Sequence, residues 1–112
     1  LIMNDFTIYH NPRCSKSRET LAMLEAAGIK PEVVEYLRDV PSEETLLSLM
    51  EMLPPTSMVR TKEPAYSGFD LNDKKTVARE LHLHPELLER PIVVRGKKAV
   101  IGRPPEAVNT LL

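Results

Sequence analysis

Two periodicities alternate within the first 37 residues, and that alternation restricts the fold more than any other feature. Phe6-Thr7-Ile8-Tyr9 is β-prone and alternating, and Asn11-Pro12 ends it. From Ser15 to Ala27, Leu21, Leu24 and Ala27 recur at helical spacing, and Gly28 closes the run. Glu32 to Leu37 (EVVEYL) is strand-like again. Two strands joined through such a helix must run parallel, because the helix carries the chain back to the end where the first strand began.

The rest of the chain extends this unit. Pro41-Ser42-Glu43-Glu44 predicts a helix start with acids in its first turn, and Leu46, Leu49, Met50 and Leu53 form its apolar stripe up to Pro54-Pro55. Thr56 to Asp70 is irregular, with one helical turn expected at Met58-Val59-Arg60. Asn72 to Leu81 predicts another helix, with Asn72 as its cap and Val77 and Leu81 facing inward. Pro85 starts a short helical turn. Ile92-Val93-Val94 and Ala99-Val100-Ile101 flank a turn at Arg95-Gly96-Lys97-Lys98, where Gly96 supplies the positive φ of a two-residue hairpin loop. A last helix is expected over Glu106 to Leu112. Prolines number 10 in 112 residues, about twice the usual ~5%, but they fall between periodic segments and read as punctuation. The result is an α/β chain: a four-stranded mixed sheet flanked by helices, with a helical insertion between strands two and three. That is the thioredoxin-like plan, with strand three beside strand one.

Length and charge narrow the function classes. The chain is read as a single domain over 1–112, with Met3 as the natural start and Leu1 and Ile2 preceding it. A net charge of −1 gives no basic excess for nucleic acid. The apolar runs are too short for a membrane span. One cysteine cannot form an internal disulfide, which makes the reducing cytoplasm the expected location.

That cysteine, Cys14, is the chemical focus. A lone cysteine is commonly a small buried hydrophobe. Here it falls between strand one and helix one, where unpaired backbone N–H groups and the helix dipole favour an anion. Lys16 and Arg18 follow it. Its neighbours Asn11, Pro12, Arg13, Ser15 and Ser17 are poor core residues. Free thiols titrate near ~8.5, and thiols at helix starts beside cations fall to roughly 3.5–7.5. Two chemistries fail on spacing. A Cys-x-x-Cys redox pair is excluded by Asn11 and Ser17, and a Cys-x5-Arg phosphatase loop is excluded by Thr20. Three arginines lie at turns or beside prolines: Arg60, Arg90 before strand three, and Arg103 after strand four. With strand three beside strand one, Arg90 comes near Cys14. Guanidinium forks around a thiolate suit a tetrahedral oxyanion.

"YHNPRCSKSRETL", followed by "RPIVV" and "GRPPE", resembles the glutaredoxin-coupled arsenate reductase family from about Thr7 to Leu111. The resemblance implies a thioredoxin-like fold with Cys14 as catalytic nucleophile and Arg60, Arg90 and Arg103 binding arsenate and its arsenite product. His10 and Arg18 match residues that support the thiolate, and Ser17 is grouped with them. Pro91 matches the cis proline before strand three. No bound cofactor or metal is implied. Glutathione acts as external reductant and glutaredoxin as protein partner, in arsenic detoxification. One departure is the Ser15-Lys16 pair, where the best-studied branch carries Gly-Thr. The alternative class is a glutathione- or thiol-binding, or regulatory, thioredoxin-fold protein without arsenate reductase activity. His82 and His84 lack a nearby third ligand, and Met50, Met52 and Met58 read as core fillers.

Overall fold

Alternation in the first β-prone run is reproduced in three dimensions. In the computed structural model, which describes residues 5–112, β1 (Phe6–His10) buries Phe6, Ile8 and His10 while Thr7 and Tyr9 take the other face. The expectation for Leu1, Ile2 and Met3 lies outside the described residues. α1 (Ser15–Ala26) returns the chain to β2 (Glu32–Glu35), which pairs parallel with β1. β3 (Ile92–Arg95) pairs antiparallel with β1, and β4 (Lys98–Ile101) pairs antiparallel with β3. The sheet order is β2-β1-β3-β4, the mixed four-stranded arrangement of the thioredoxin-like plan. Gly96 has φ 60° in the two-residue loop between the paired Arg95 and Lys98. The Arg90–Pro91 peptide is cis, as expected, and Arg103–Pro104 is cis as well.

The described residues group into two compact units. The first runs through Tyr36 and resumes over Arg90–Leu112. Its core joins Phe6 and Ile8 of β1, Leu24 of α1, Ile29, Val93 of β3, and Val108 and Leu111. Val108 and Leu111 lie on the closing segment Pro105–Leu111, a 3-10 helix rather than the α-helix expected from Glu106. Pro104 and Pro105 at its start lack backbone N–H donors.

The second unit, Leu37–Glu89, carries the helical insertion. α2 (Glu43–Leu49) is capped by Ser42, whose hydroxyl accepts from the Thr45 N–H at 3.1 Å, and it packs on α4 (Lys74–Leu83). α2 is shorter than its apolar stripe suggested. Leu46, Leu49 and Met50 are buried, but Leu53 lies past the last helical turn and is only half-buried. The single turn α3 (Pro55–Met58) lies earlier than the expected Met58-Val59-Arg60. Val59 instead forms an isolated antiparallel bridge with Leu88. α4 is capped by Asp73, not Asn72, because the Asp73 carboxylate accepts from the Thr76 N–H at 3.2 Å while Asn72 lies one residue too early to reach it. Val77 and Leu81 are buried, and Pro85–Leu87 forms the expected short helical turn.

Candidate active site

The loop after β1 is built to present a thiol. The Asn11 carbonyl accepts the Cys14 N–H at 3.0 Å, and the Asn11 side chain accepts the Arg13 N–H at 2.9 Å. These bonds make a tight turn that delivers Cys14 to the N-cap of α1 with extended backbone angles. Its own carbonyl takes the first helical bond, from the Arg18 N–H at 3.0 Å. As N-cap, Cys14 stands where the free N–H groups of the first turn converge.

Those groups bear directly on the sulfur. Partial burial, the largest single influence, pushes the Cys14 thiol up. It is outweighed by the Ser17 N–H, by the hydrogen bond and charge of Arg90, and by the Lys16 N–H, so the thiol is held below its ordinary value. Arg103 adds a second guanidinium, with Nη1 at 3.8 Å from Sγ and 3.3 Å from the Arg90 carbonyl. The sulfur remains partly accessible. A partly accessible thiol held below its ordinary pKa and flanked by two arginines is therefore the chemical content of this end of the sheet.

His10 and Ser17 brace the turn from inside. Both are buried, and Ser17 is fully so. The sequence groups Ser17 with the residues supporting the thiolate but carries no sign of its burial. It is buried because its hydroxyl is consumed by two local partners: it bonds His10 Nδ1 at 2.6 Å and accepts the Asn11 N–H at 3.0 Å. The same residue's backbone N–H bonds the Cys14 sulfur. Burial lowers the His10 pKa and Arg18 lowers it further, against opposing Glu35 and Glu25, so the imidazole is neutral at pH 7. Arg18 donates to the Pro12 carbonyl at 3.0 Å, tying α1 to the loop ahead of Cys14.

Cys14, Arg90, Arg103, His10, Ser17 and Arg18 thus belong to the first unit, whereas Arg60 belongs to the second. There the Arg60 guanidinium is set by two carboxylates. Nε and Nη2 donate to Glu63 at 3.2 Å each, and Nη1 donates to Glu89 at 3.1 Å. The Arg60 N–H donates to the Leu87 carbonyl at 2.7 Å. Neither Glu63 nor Glu89 stood out in the sequence. His82 Nδ1 lies 2.8 Å from the Pro41 carbonyl, and His84 lies 4.0 Å from Glu86. Among the described residues, no group of three or more His, Cys, Asp or Glu is placed to hold a metal, and no helix is long and apolar enough to cross a membrane.

Two structural residues of the site were also missed. Gly102, at the end of β4, is buried, and its N–H donates to the Pro91 carbonyl at 2.9 Å. A Cβ built on it would stand 2.5 Å from Thr20 Oγ1 and 2.8 Å from Pro91 Cγ. Glycine is required because the Thr20 and Pro91 side chains close on its Cα, immediately before Arg103. A glycine closing a strand was the available signal. Thr20 is fully buried and donates to the Lys16 carbonyl at 2.8 Å.

A mixed sheet in this order, with one thiol at the N-terminus of the β1–β2 crossover helix and arginines from the strand-three and strand-four ends beside it, defines a thioredoxin-like protein of single-cysteine type. The chain belongs to the ArsC family, whose sequence model matches residues 9–111. It is 46% identical over 112 residues to an arsenate reductase of Haemophilus influenzae, covering 94% of this chain and 97% of that one. It is also 46% identical over 108 residues to the uncharacterized protein YfgD of Escherichia coli K12, covering 90% and 91%. Among solved structures, the arsenate reductase from Vibrio cholerae superposes with a TM-score of 0.84 at 42% identity, covering 96% of this chain and 97% of that one.

Proposed function

We propose that the chain is an arsenate reductase, an oxidoreductase that uses Cys14 as its only nucleophile, with residues 1–112 as one functional domain. One observation carries this reading: the sole cysteine is held below its ordinary pKa by helix N–H groups and Arg90, with Arg103 beside the sulfur. The names of its relatives support the choice of substrate.

In this reading the Cys14 thiolate attacks As(V) and an arsenate oxygen departs as water. Arg90 and Arg103 hold the remaining oxygens. His10, Ser17 and Arg18 hold the loop and first helical turn around the sulfur. Because the chain has no second cysteine, the second thiol, with the second electron, comes from outside. Arsenate, the Cys14 thiol and glutathione give arsenite, water and a Cys14–glutathione mixed disulfide. Each sulfur supplies one electron to arsenic. A glutaredoxin thiol then attacks the glutathione sulfur and releases Cys14. None of these steps calls on a bound cofactor, and the dependence on glutathione and glutaredoxin fits the reducing cytoplasm.

The test is arsenite formation by the purified protein with glutathione and glutaredoxin. Cys14→Ser abolishes it, because a serine hydroxyl is not ionised at neutral pH. Equal, negligible arsenite from wild type and Cys14→Ser would refute the reductase and favour a protein that binds glutathione without reducing arsenate.

A further inference from the structure

A groove of about 440 Å3 runs beside the site, within the first unit. One wall is the exposed face of α1, with Lys16, Glu19 and Met23 at successive turns. The other is Pro104, Pro105 and Glu106. Both walls adjoin the thiolate. Lys16 donates its backbone N–H to the Cys14 sulfur, and Pro104 follows Arg103, whose guanidinium lies 3.8 Å from that sulfur. The volume falls within the roughly 300–1,000 Å3 of small-ligand sites. The site chemistry above does not use this groove.

The charge pattern of the groove selects an occupant. Lys16 offers one ammonium, paired only at 3.9 Å with Glu19 and about half exposed, so it exchanges readily for a ligand carboxylate. Glu106 offers a carboxylate at the far wall. Met23 and the two prolines give an apolar surface between them. An inorganic oxyanion finds only one cation here and two carboxylates. A small peptide with both carboxylate and ammonium groups matches both signs. We propose that this groove seats the peptide part of the thiol co-substrate, glutathione, with a peptide carboxylate on Lys16, its ammonium on Glu106 and its sulfur at Cys14. The proposal rests on the reductase reading only in requiring an external thiol. It also gives the Ser15-Lys16 pair a purpose: the lysine specifies the reductant, not the oxyanion.

The test needs no arsenate. The purified full chain is mixed with oxidised glutathione, whose disulfide the Cys14 thiolate attacks. The S–S bond breaks, one glutathione thiolate leaves, and Cys14 is recovered as the mixed disulfide, with no net oxidation. Bis(2-hydroxyethyl) disulfide, uncharged and too short to span the groove, undergoes the same exchange as a control. Lys16→Glu slows exchange with oxidised glutathione by roughly five- to tenfold, as expected for reversing one partly exposed charge. The loss shrinks at high salt. Ala22→Trp, which fills the groove from an exposed position on α1, gives a similar loss. Ala22→Trp keeps the control rate within about twofold, a difference of only ~0.4 kcal/mol, and the Lys16→Glu loss is read as the ratio of the oxidised-glutathione rate to the control rate, which cancels any change in the thiol itself. Equal slowing of both disulfides, or no slowing in either variant, overturns the proposal. Absence of arsenite from the wild type overturns the reductase reading and leaves this comparison readable.

Discussion

Substituting alanine for Gly102 puts the packing beneath the arginine pair to a direct test. The new Cβ would lie 2.5 Å from Thr20 Oγ1, 2.8 Å from Pro91 Cγ and 3.1 Å from Thr20 Cγ2. Restoring ordinary contact at 3.4 Å requires Thr20 and β4 to separate by about 0.9 Å. Neither neighbour yields easily. Thr20 is fully buried with its hydroxyl bonded to the Lys16 carbonyl, and Pro91 is buried and accepts the Gly102 N–H. Overpacking of this kind costs about 1–3 kcal/mol, and two anchored neighbours place Gly102→Ala in the upper half of that range. The expected fall in Tm is about 10 °C. Because Arg103 is the next residue, the variant also displaces its guanidinium from Cys14 and slows thiol alkylation near neutral pH. A double-mutant cycle isolates the cause. Thr20→Ala removes the two contacts on Thr20 but not the one on Pro91, so the double variant is more stable than the sum of the single effects predicts, by about 0.5–3 kcal/mol. Thermal denaturation measures all four proteins. A Gly102→Ala protein melting within a degree or two of wild type, or strict additivity with Thr20→Ala, would refute the close approach.

Three further outcomes follow from the site. Ser17→Ala strips partners from His10 Nδ1 and the Asn11 N–H; leaving these two groups unsatisfied destabilises the fold by about 2–4 kcal/mol in chemical denaturation, and a loss below about 0.5 kcal/mol would contradict the bracing role. Arg90→Ala raises the pH midpoint of Cys14 alkylation more than Arg103→Ala does, since Arg90 contributes both a hydrogen bond and its charge whereas Arg103 stands at 3.8 Å; the reverse order would show that Arg103 dominates. Cys14 ionises more easily folded than unfolded, so the unfolded chain binds the extra proton between the lowered folded pKa and the ordinary thiol value near 8.5. Stability therefore rises with pH across that window and falls as pH drops through the folded pKa. Denaturation of wild type against Cys14→Ser measures the slope, which should be missing in the variant.

Much of this molecule was legible in the order of its residues, because strand and helix periodicity are local. Phe6 to Tyr9, Ser15 to Ala27 and Glu32 to Leu37 declared a parallel β-α-β unit, and Gly96 declared the hairpin. Those elements alone put Cys14 at a helix start, and the spacing around it excluded a dithiol. Element ends were less legible. One residue decided Asp73 over Asn72 as cap, since only its carboxylate reaches the Thr76 N–H. The closing segment is a 3-10 helix where the sequence predicted an α-helix. What tertiary structure alone decided is which distant groups reach the sulfur. Arg90 arrives because β3 lies against β1, and Arg103 because β4 lies against β3. Ser17 is buried because His10, seven residues earlier, turns inward on β1 to meet it. Gly102 must be glycine because α1 and the Pro91 segment close upon it from remote parts of the chain. Periodicity states which way a side chain faces along its own element; what it meets there depends on the packing of elements far apart in sequence.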